Sequence, residues 1–320
     1  MNIFNKYKRY RAAYENPKSV MWKAYRKKEL IPVILKDHSK RIWPPEAIWI
    51  YAGGILSCGG VPEKVKAWQQ FFDSTQIPNK DEIGEFIEFE YENHKCIFYG
   101  VIEAGKMING SIDEIFFTEV YKFLRPDKSV IIDIGANIGD SAIYFYLKNA
   151  ERVITLEPFP FSHKFAAINF TANKMSDKIQ LLNAGYGKDI EVKVKDKKSN
   201  IGDILEISNE GKKISTYSLG TIINMYDLSN KDNLLLKMDC EGCEYNLLDE
   251  PIEVLRKFKR IELEFHYGYK NLVSKLKEAG FSVNYSKPVK AGGSEQALRK
   301  MALTNNDFTA GYIYAEKDPF

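Results

Sequence analysis

From residue 129 onward the chain alternates short apolar runs with amphipathic stretches. Val130 to Asp133 reads as an apolar strand, followed by a glycine-bearing turn and a helix reaching about Asn149. Val153 to Glu157 is a second strand, Phe161 to Asn173 a second helix and Ile179 to Asn183 a third strand. Leu234 to Asp239 opens on three leucines, as a strand buried on both faces requires. Ile261 to His266 is a fifth strand, a helix follows from about Tyr269 to Gly280, and late strands fall near Phe281 to Tyr285 and Gly311 to Ala315. Seven strands alternating with helices predict an α/β fold, a doubly wound, mostly parallel, Rossmann-like sheet. Ligands of such sheets bind outside the carboxyl ends of the strands, where the strand order reverses.

Before residue 111 the pattern is different. Leu30 to Leu35 and Lys40 to Trp43 flank a turn, and Pro44-Pro45 then breaks the strand and opens a helix. Phe86 to Tyr91 alternates in period two, and Cys96 to Tyr99 answers it in a second hairpin. Residues 1–110 are therefore expected to form a helical and hairpin extension, with the sheet domain in 111–320. Ser111-Ile112-Asp113-Glu114 has the form of a capping box, and the helix it opens should stop at Pro126. The long connection from Asp189 to Asp232 predicts a hairpin plus a helix near Ser218 to Tyr226; insertions of this size tend to carry specificity.

Charge modifies this picture at one end. The net charge is +3 over 320 residues, yet Met1 to Arg41 alone carries +9 and leaves the remainder at −6. Tyr7, Tyr10, Tyr14, Trp22 and Tyr25 interleave with those cations. They suit weak contact with an anionic surface or packing against neighbouring helices, and no nucleic-acid motif accompanies them. No stretch is long and apolar enough for a transmembrane segment and the start lacks the apolar run of a signal peptide, so a cytoplasmic protein is expected. Of four cysteines, Cys240 and Cys243 have C-x-x-C spacing, but no second pair completes a zinc site. The simpler expectation is two small residues filling a tight loop.

The turn after the first strand is Asp133-Ile134-Gly135-Ala136-Asn137-Ile138-Gly139-Asp140. A dinucleotide site needs G-x-G-x-x-G, and here its second and third glycines would be Asn137 and Asp140. Asn137 hinders close approach, and Asp140 puts a negative charge where a pyrophosphate sits. A nicotinamide-dependent oxidoreductase is thus disfavoured. S-adenosylmethionine carries a sulfonium and an ammonium group but no phosphate, so acids beside it help. Glu157, 24 positions after Asp133, closes the second strand where ribose hydroxyls are recognised, with Pro158 following.

A third segment, Lys237-Met238-Asp239-Cys240-Glu241-Gly242-Cys243-Glu244, places four ionisable side chains at the end of a buried strand. These three motifs, spanning about Glu119 to Tyr285, together resemble the FkbM-type methyltransferases, which carry D-x-G-A-N-x-G, E-P and K-x-D-x-E-G-x-E in this order. The resemblance implies the class I methyltransferase fold, S-adenosylmethionine as methyl donor, and O-methylation of a saccharide, glycan or natural-product hydroxyl. It predicts cofactor contacts at Asp133, Gly135, Ala136, Asn137, Gly139, Asp140, Glu157 and Pro158. The first 110 residues lie outside it and inherit nothing.

Removing a hydroxyl proton calls for a general base. Asp239 is the first candidate, Glu241 and Glu244 can orient the acceptor, and Lys237 can pair with one of them. Alternation puts Glu262, Glu264 and His266 on one strand face, and His266 reaches the same mouth, where an ordinary pKa of about 6.5 would suit a base. Asp239 with Glu241 could supply oxygen ligands to a divalent ion, but no motif demands a metal and none is assigned. A non-catalytic protein docking through its basic start is the alternative from another class.

Overall fold

Strands whose every position is buried mark the centre of the large sheet. The computed structural model describes residues 3–26, 31–43, 45–74, 86–100, 110–194, 211–290 and 309–317. The chain falls into two compact units, Met1–Val120 and Tyr121–Phe320.

In the first unit, α1 (Ile3–Ala13) and α2 (Pro17–Tyr25) precede a hairpin of β1 (Ile31–Ile34) and β2 (Lys40–Trp43). Helices α3 (Pro45–Ser57) and α4 (Pro62–Ser74) follow, then a hairpin of β3 (Phe86–Tyr91) and β4 (His94–Tyr99). Both hairpins are antiparallel and lie where the alternation predicts them; Leu30 and Pro44 fall outside the described residues. Of the aromatics interleaved with the basic start, Tyr10 and Tyr14 are buried, and the Tyr14 hydroxyl donates to Ile48 O at 2.6 Å. Trp22 and Tyr25 are exposed.

The regular helix expected from Ser111 is replaced by α5 (Gly110–Ile112), a π turn over Asp113–Phe117 and a 3-10 turn over Val120–Leu124. Ser111 lies within α5 rather than at its cap. Ile115, Phe116 and Phe117 are all buried, and three consecutive core positions do not suit a one-faced α-helix. Phe116 and Phe117 pack edge-on or tilted against Phe89, Tyr91, Phe98 and Trp68, which ties this segment to the first unit.

The second unit runs β5 (Val130–Ile134), α6 (Asp140–Leu147), β6 (Arg152–Leu156), α7 (Pro160–Ala172), β7 (Ile179–Leu182) and β8 (Ala184–Tyr186). Next come β9 (Ile190–Val194), β10 (Lys212–Tyr217), α8 (Leu219–Met225), β11 (Leu234–Met238), a 3-10 turn at Cys243–Asp249 and α9 (Ile252–Leu255). Strand β12 (Arg260–Phe265), α10 (Lys270–Glu278), β13 (Phe281–Tyr285), β14 (Val289–Lys290) and β15 (Thr309–Lys317) complete it. The large sheet has the order β13-β15-β12-β11-β5-β6-β7, with β14 added on β15. It therefore has eight strands rather than the expected seven, because the two-residue β14 is too short to show alternation.

Strands β7, β6, β5, β11 and β12 are mutually parallel, and β15 runs against both of its neighbours. The chain travels outward through β5, β6 and β7 on one side and through β11 and β12 on the other. The order therefore reverses between β5 and β11, whose carboxyl ends form the crevice where ligands of such sheets bind. Both central strands are buried at all five positions. The Asp189–Asp232 connection forms the expected antiparallel pair, β9 with β10, and helix α8; β8 joins β10 in parallel.

Candidate active site

Sheet register determines what the acidic residues can do. Asp133 on β5 lies opposite Lys237 on β11 and Thr155 on β6, and Lys237 lies opposite Glu262 on β12. The Lys237 ammonium is 3.0 Å from Asp133 Oδ1 and also donates to Gly135 O at 2.8 Å. Asp133 Oδ2 accepts from Ser141 Oγ at 2.8 Å and Thr155 Oγ1 at 2.9 Å. Burial alone would lower the Lys237 pKa, but Asp133 beside it, and then Asp239, hold it above its ordinary value. Lys237 therefore pairs with Asp133, not with Glu241 or Glu244. Asp133, wholly buried, is neutralised within the protein, and the charge expected to attract a cationic ligand braces the loop instead.

The loop between β5 and α6 is wound tightly. Gly135 has φ +85°, and a Cβ there would lie 1.9 Å from Asp239 O, so only glycine lets the β5 and β11 ends meet. Gly139, with φ +87°, is likewise closed by Phe170 of α7. Gly135 N–H and Ala136 N–H both donate to Leu156 O, Gly139 N–H donates to Ala136 O, and Asn137 N–H donates to Glu157 Oε2 at 2.8 Å. These four donors, which a phosphate-binding loop would aim at its anion, are spent internally. Asp140, buried at the first position of α6, accepts from Ser141 N–H. The loop suits a cofactor without phosphates.

Glu157 ends β6 with its other oxygen accepting Phe159 N–H at 2.9 Å. Burial pushes its carboxyl up to about 8, against the opposing pull of these two backbone donors and of Lys237. Asn183 Nδ2 donates to both Glu157 O and Pro158 O, which fixes the Glu-Pro pair.

Beyond β11 and β12, four carboxylates surround one imidazole. Glu244, fully buried, takes both His266 N–H at 3.1 Å and His266 Nδ1 at 2.9 Å on a single oxygen, and Gly242 N–H at 2.7 Å on the other. His266 Nε2 is thereby turned toward Glu241 at 3.3 Å and toward Asp239 and Glu264, each at 4.0 Å. One atom from each of Asp239, Glu241 and His266 lies within 4.8 Å of the others. Burial would lower the His266 pKa, but the Glu244 hydrogen bond and the charges of Glu244, Glu241 and Asp239 raise it to about 10. The free imidazole expected as a base is thus an imidazolium at neutral pH. The adjoining loop holds a Cys240–Cys243 disulfide, with Cα atoms 5.4 Å apart, where only two small residues were expected. Glu241, between them, has φ +55°.

The structure brings Asp239, Glu241 and His266 together, and places Asp239 beside the β5–α6 loop, its N–H donating to Ile134 O at 3.1 Å. Sequence reasoning missed Tyr121, whose hydroxyl donates to Asp239 Oδ2 at 3.1 Å, and Asn169, whose amide donates to Ile138 O at 2.8 Å. Neither sits near a motif, and only the fold brings them to the loops. Glu262 continues the buried row as a carboxylate that accepts no hydrogen bond among the described residues, and burial pushes its pKa well up. No helix among the described residues is long and apolar enough to cross a membrane.

Residues 133–283 match the methyltransferase FkbM domain. No curated protein matches the sequence. Among solved structures, a precorrin-6y C5,15-methyltransferase from Geobacter metallireducens is 18% identical, with a TM-score of 0.35 over 63% of this chain and 89% of that one. TYW2 of M. jannaschii, in complex with AdoMet, is 14% identical, with a TM-score of 0.39 over 76% of this chain and 90% of that one. Both likenesses are slight, and the assignment rests on the domain match together with the three motifs. The matched residues lie within the second unit, and the chain is an S-adenosylmethionine-dependent methyltransferase.

Proposed function

We propose that the enzyme methylates a hydroxyl of a saccharide, glycan or natural product. The observation that carries this reading is the convergence of Asp239, Glu241 and His266 at the β11 and β12 ends, beside the cofactor loop. An alcohol must shed a proton as its oxygen is methylated, so its enzyme gains from proton acceptors at that place. Bound in the crevice, S-adenosylmethionine supplies a methyl group on a sulfonium, open to in-line displacement.

The residues divide the work. Glu157 keeps a lone pair on each oxygen for ribose hydroxyls, while Gly135, Ala136, Asn137, Gly139 and Pro158 shape the wall around the cofactor. Asp140, at the head of α6, favours the cationic methionine end. Asp239 and Glu241 orient the acceptor hydroxyl and receive its proton, and His266, pinned by Glu244, keeps those carboxylates in place. The basic start of the chain is assigned a weak contact with anionic surfaces.

Two measurements on the full-length chain test this reading. Calorimetry should show micromolar binding of S-adenosylhomocysteine and none of NAD. Methyl-labelled donor offered with a panel of sugars should label those with free hydroxyls and spare their deoxy counterparts. Label arriving only on amines, or no binding of S-adenosylhomocysteine, overturns it.

A further inference from the structure

We infer that Asp239, Glu241 and His266 form a divalent-cation site of the magnesium or manganese class. Three candidate ligand atoms converge there within 4.8 Å, from the end of β11, the loop after it and the end of β12. The donor set is two carboxylate oxygens and one imidazole nitrogen, a mixture that suits manganese or magnesium better than a thiolate-seeking ion. An octahedral ion with bonds of about 2.1 Å sets neighbouring ligand atoms about 3.0 Å apart and opposite ones about 4.2 Å apart. His266 Nε2 lies 3.3 Å from Glu241 Oε2 and 4.0 Å from Asp239 Oδ1, which spans that range.

The surroundings are those of a metal-binding histidine. Nδ1 donates to the buried Glu244 carboxylate at 2.9 Å, and the backbone N–H of His266 donates to the same oxygen. A carboxylate behind a histidine in this way fixes the ring and turns Nε2 to the metal. Asp239 is oriented from its far side, where Oδ2 takes the Tyr121 hydroxyl at 3.1 Å and leaves Oδ1 to the cluster. The imidazole enters such a site as a neutral ligand, releasing its Nε2 proton to solvent.

The purpose of the cation, though not its binding, rests on the hydroxyl transfer proposed above. A cation lowers the pKa of an oxygen bound to it. An acceptor hydroxyl held there gives its proton to solvent and keeps the electron pair that forms the bond to the methyl carbon. The sulfur takes the pair from the broken carbon–sulfur bond. With the cation present, Asp239 and Glu241 hold the ion rather than the proton.

The test is titration of chelator-treated, full-length protein with Mn2+, followed by electron paramagnetic resonance, with and without S-adenosylhomocysteine. One Mn2+ per chain should bind and be displaced by excess Mg2+. Glu241→Gln and Asp239→Asn should each weaken it by roughly 10–100-fold, the range for disturbed metal shells, while S-adenosylhomocysteine affinity stays within about twofold. No bound Mn2+ in the wild type, or binding untouched by both substitutions, overturns the site; the wild-type result decides even if a variant fails to fold. Mn2+ binding without methylation of any hydroxyl would sink the acceptor assignment and leave the cation site standing.

Discussion

Two acidic clusters lie within a few residues of each other in the second unit, and they behave oppositely. At Asp133 the carboxylate meets a lysine and two hydroxyls, is fully buried, and holds the sheet and cofactor loop together. At Asp239, Glu241 and His266 the side chains are less buried than Asp133 and converge on one another, with Tyr121 holding Asp239 and Glu244 holding His266 from behind. A satisfied charge in the interior is structural, because removing either partner strands the other. Carboxylates gathered around one imidazole at a strand end are arranged to share a proton or a cation.

The largest expected effect comes from breaking the satisfied cluster. Lys237→Met leaves Asp133 buried and unpaired, and should destabilise the fold by about 3–5 kcal/mol. In a thermal melt this should lower Tm by roughly 6–20 °C for a unit of this size. A melt near the wild type would show that the Lys237–Asp133 pair supports little of the fold and that the contrast between the clusters is overstated.

Glu244→Gln should act on the open cluster. Turnover should fall by roughly 10–100-fold, as for lost supports of ligating histidines. The His266 pKa, followed by NMR, should drop from about 10 toward its ordinary value. The raised pKa stabilises the folded state below about 6.5, and that contribution is lost as pH rises through about 10. The wild type should therefore lose more stability than Glu244→Gln across that window.

Glu157→Ala should weaken S-adenosylhomocysteine binding by roughly 1.5–3 kcal/mol if the carboxylate takes the ribose through charged hydrogen bonds. Unchanged affinity in calorimetry would remove that role. A smaller effect follows from pH. Ribose hydroxyls donate to the ionised carboxylate, and the Glu157 pKa is about 8, so affinity should rise as pH approaches 8 and level off above it. The rise should be about tenfold per pH unit at most. A flat profile from pH 6.5 to 9 would mean the acid is not in contact with the cofactor.

The smallest change should come from opening the Cys240–Cys243 disulfide. Its bridged loop is four residues long, so the chain-entropy restraint is near the low end of the usual range, about 2 kcal/mol. Reduction should leave the Lys237–Asp133 cluster intact while loosening Glu241, detectable as weaker Mn2+ binding with a fall in Tm of roughly 4–8 °C. A collapse of the melt would instead make the disulfide a support of the whole unit.

Much of the fold was legible before any coordinates because buried strands cannot hide. Leu234 to Leu236 and Val130 to Ile132 are apolar at each position, and a parallel sheet covered on both faces leaves few other placements for them. Local signals were weaker where tertiary packing competes with them. The capping-box pattern at Ser111 lost to the burial of three consecutive apolar residues, and β14 was too short to register at all. At the carboxyl end of β5 the turn itself was legible, since the backbone demands at Gly135 and Gly139 are local.

By itself, the sequence determined the sheet, its carboxyl-terminal mouth, the glycine-bearing turn there and the names of the acids around it. Those follow from periodicity, glycine and charge, all of which are short-range. Only the tertiary structure decided which acid meets which partner. Lys237 could reach several carboxylates on paper, but the register of β11 against β5 puts Asp133 beside it. Glu244, 22 residues from His266, becomes its anchor only when β12 lies along β11. Long-range pairing sorted equivalent carboxylates into braces and site, because each one's charge is governed by the neighbours that the sheet brings within about 4 Å.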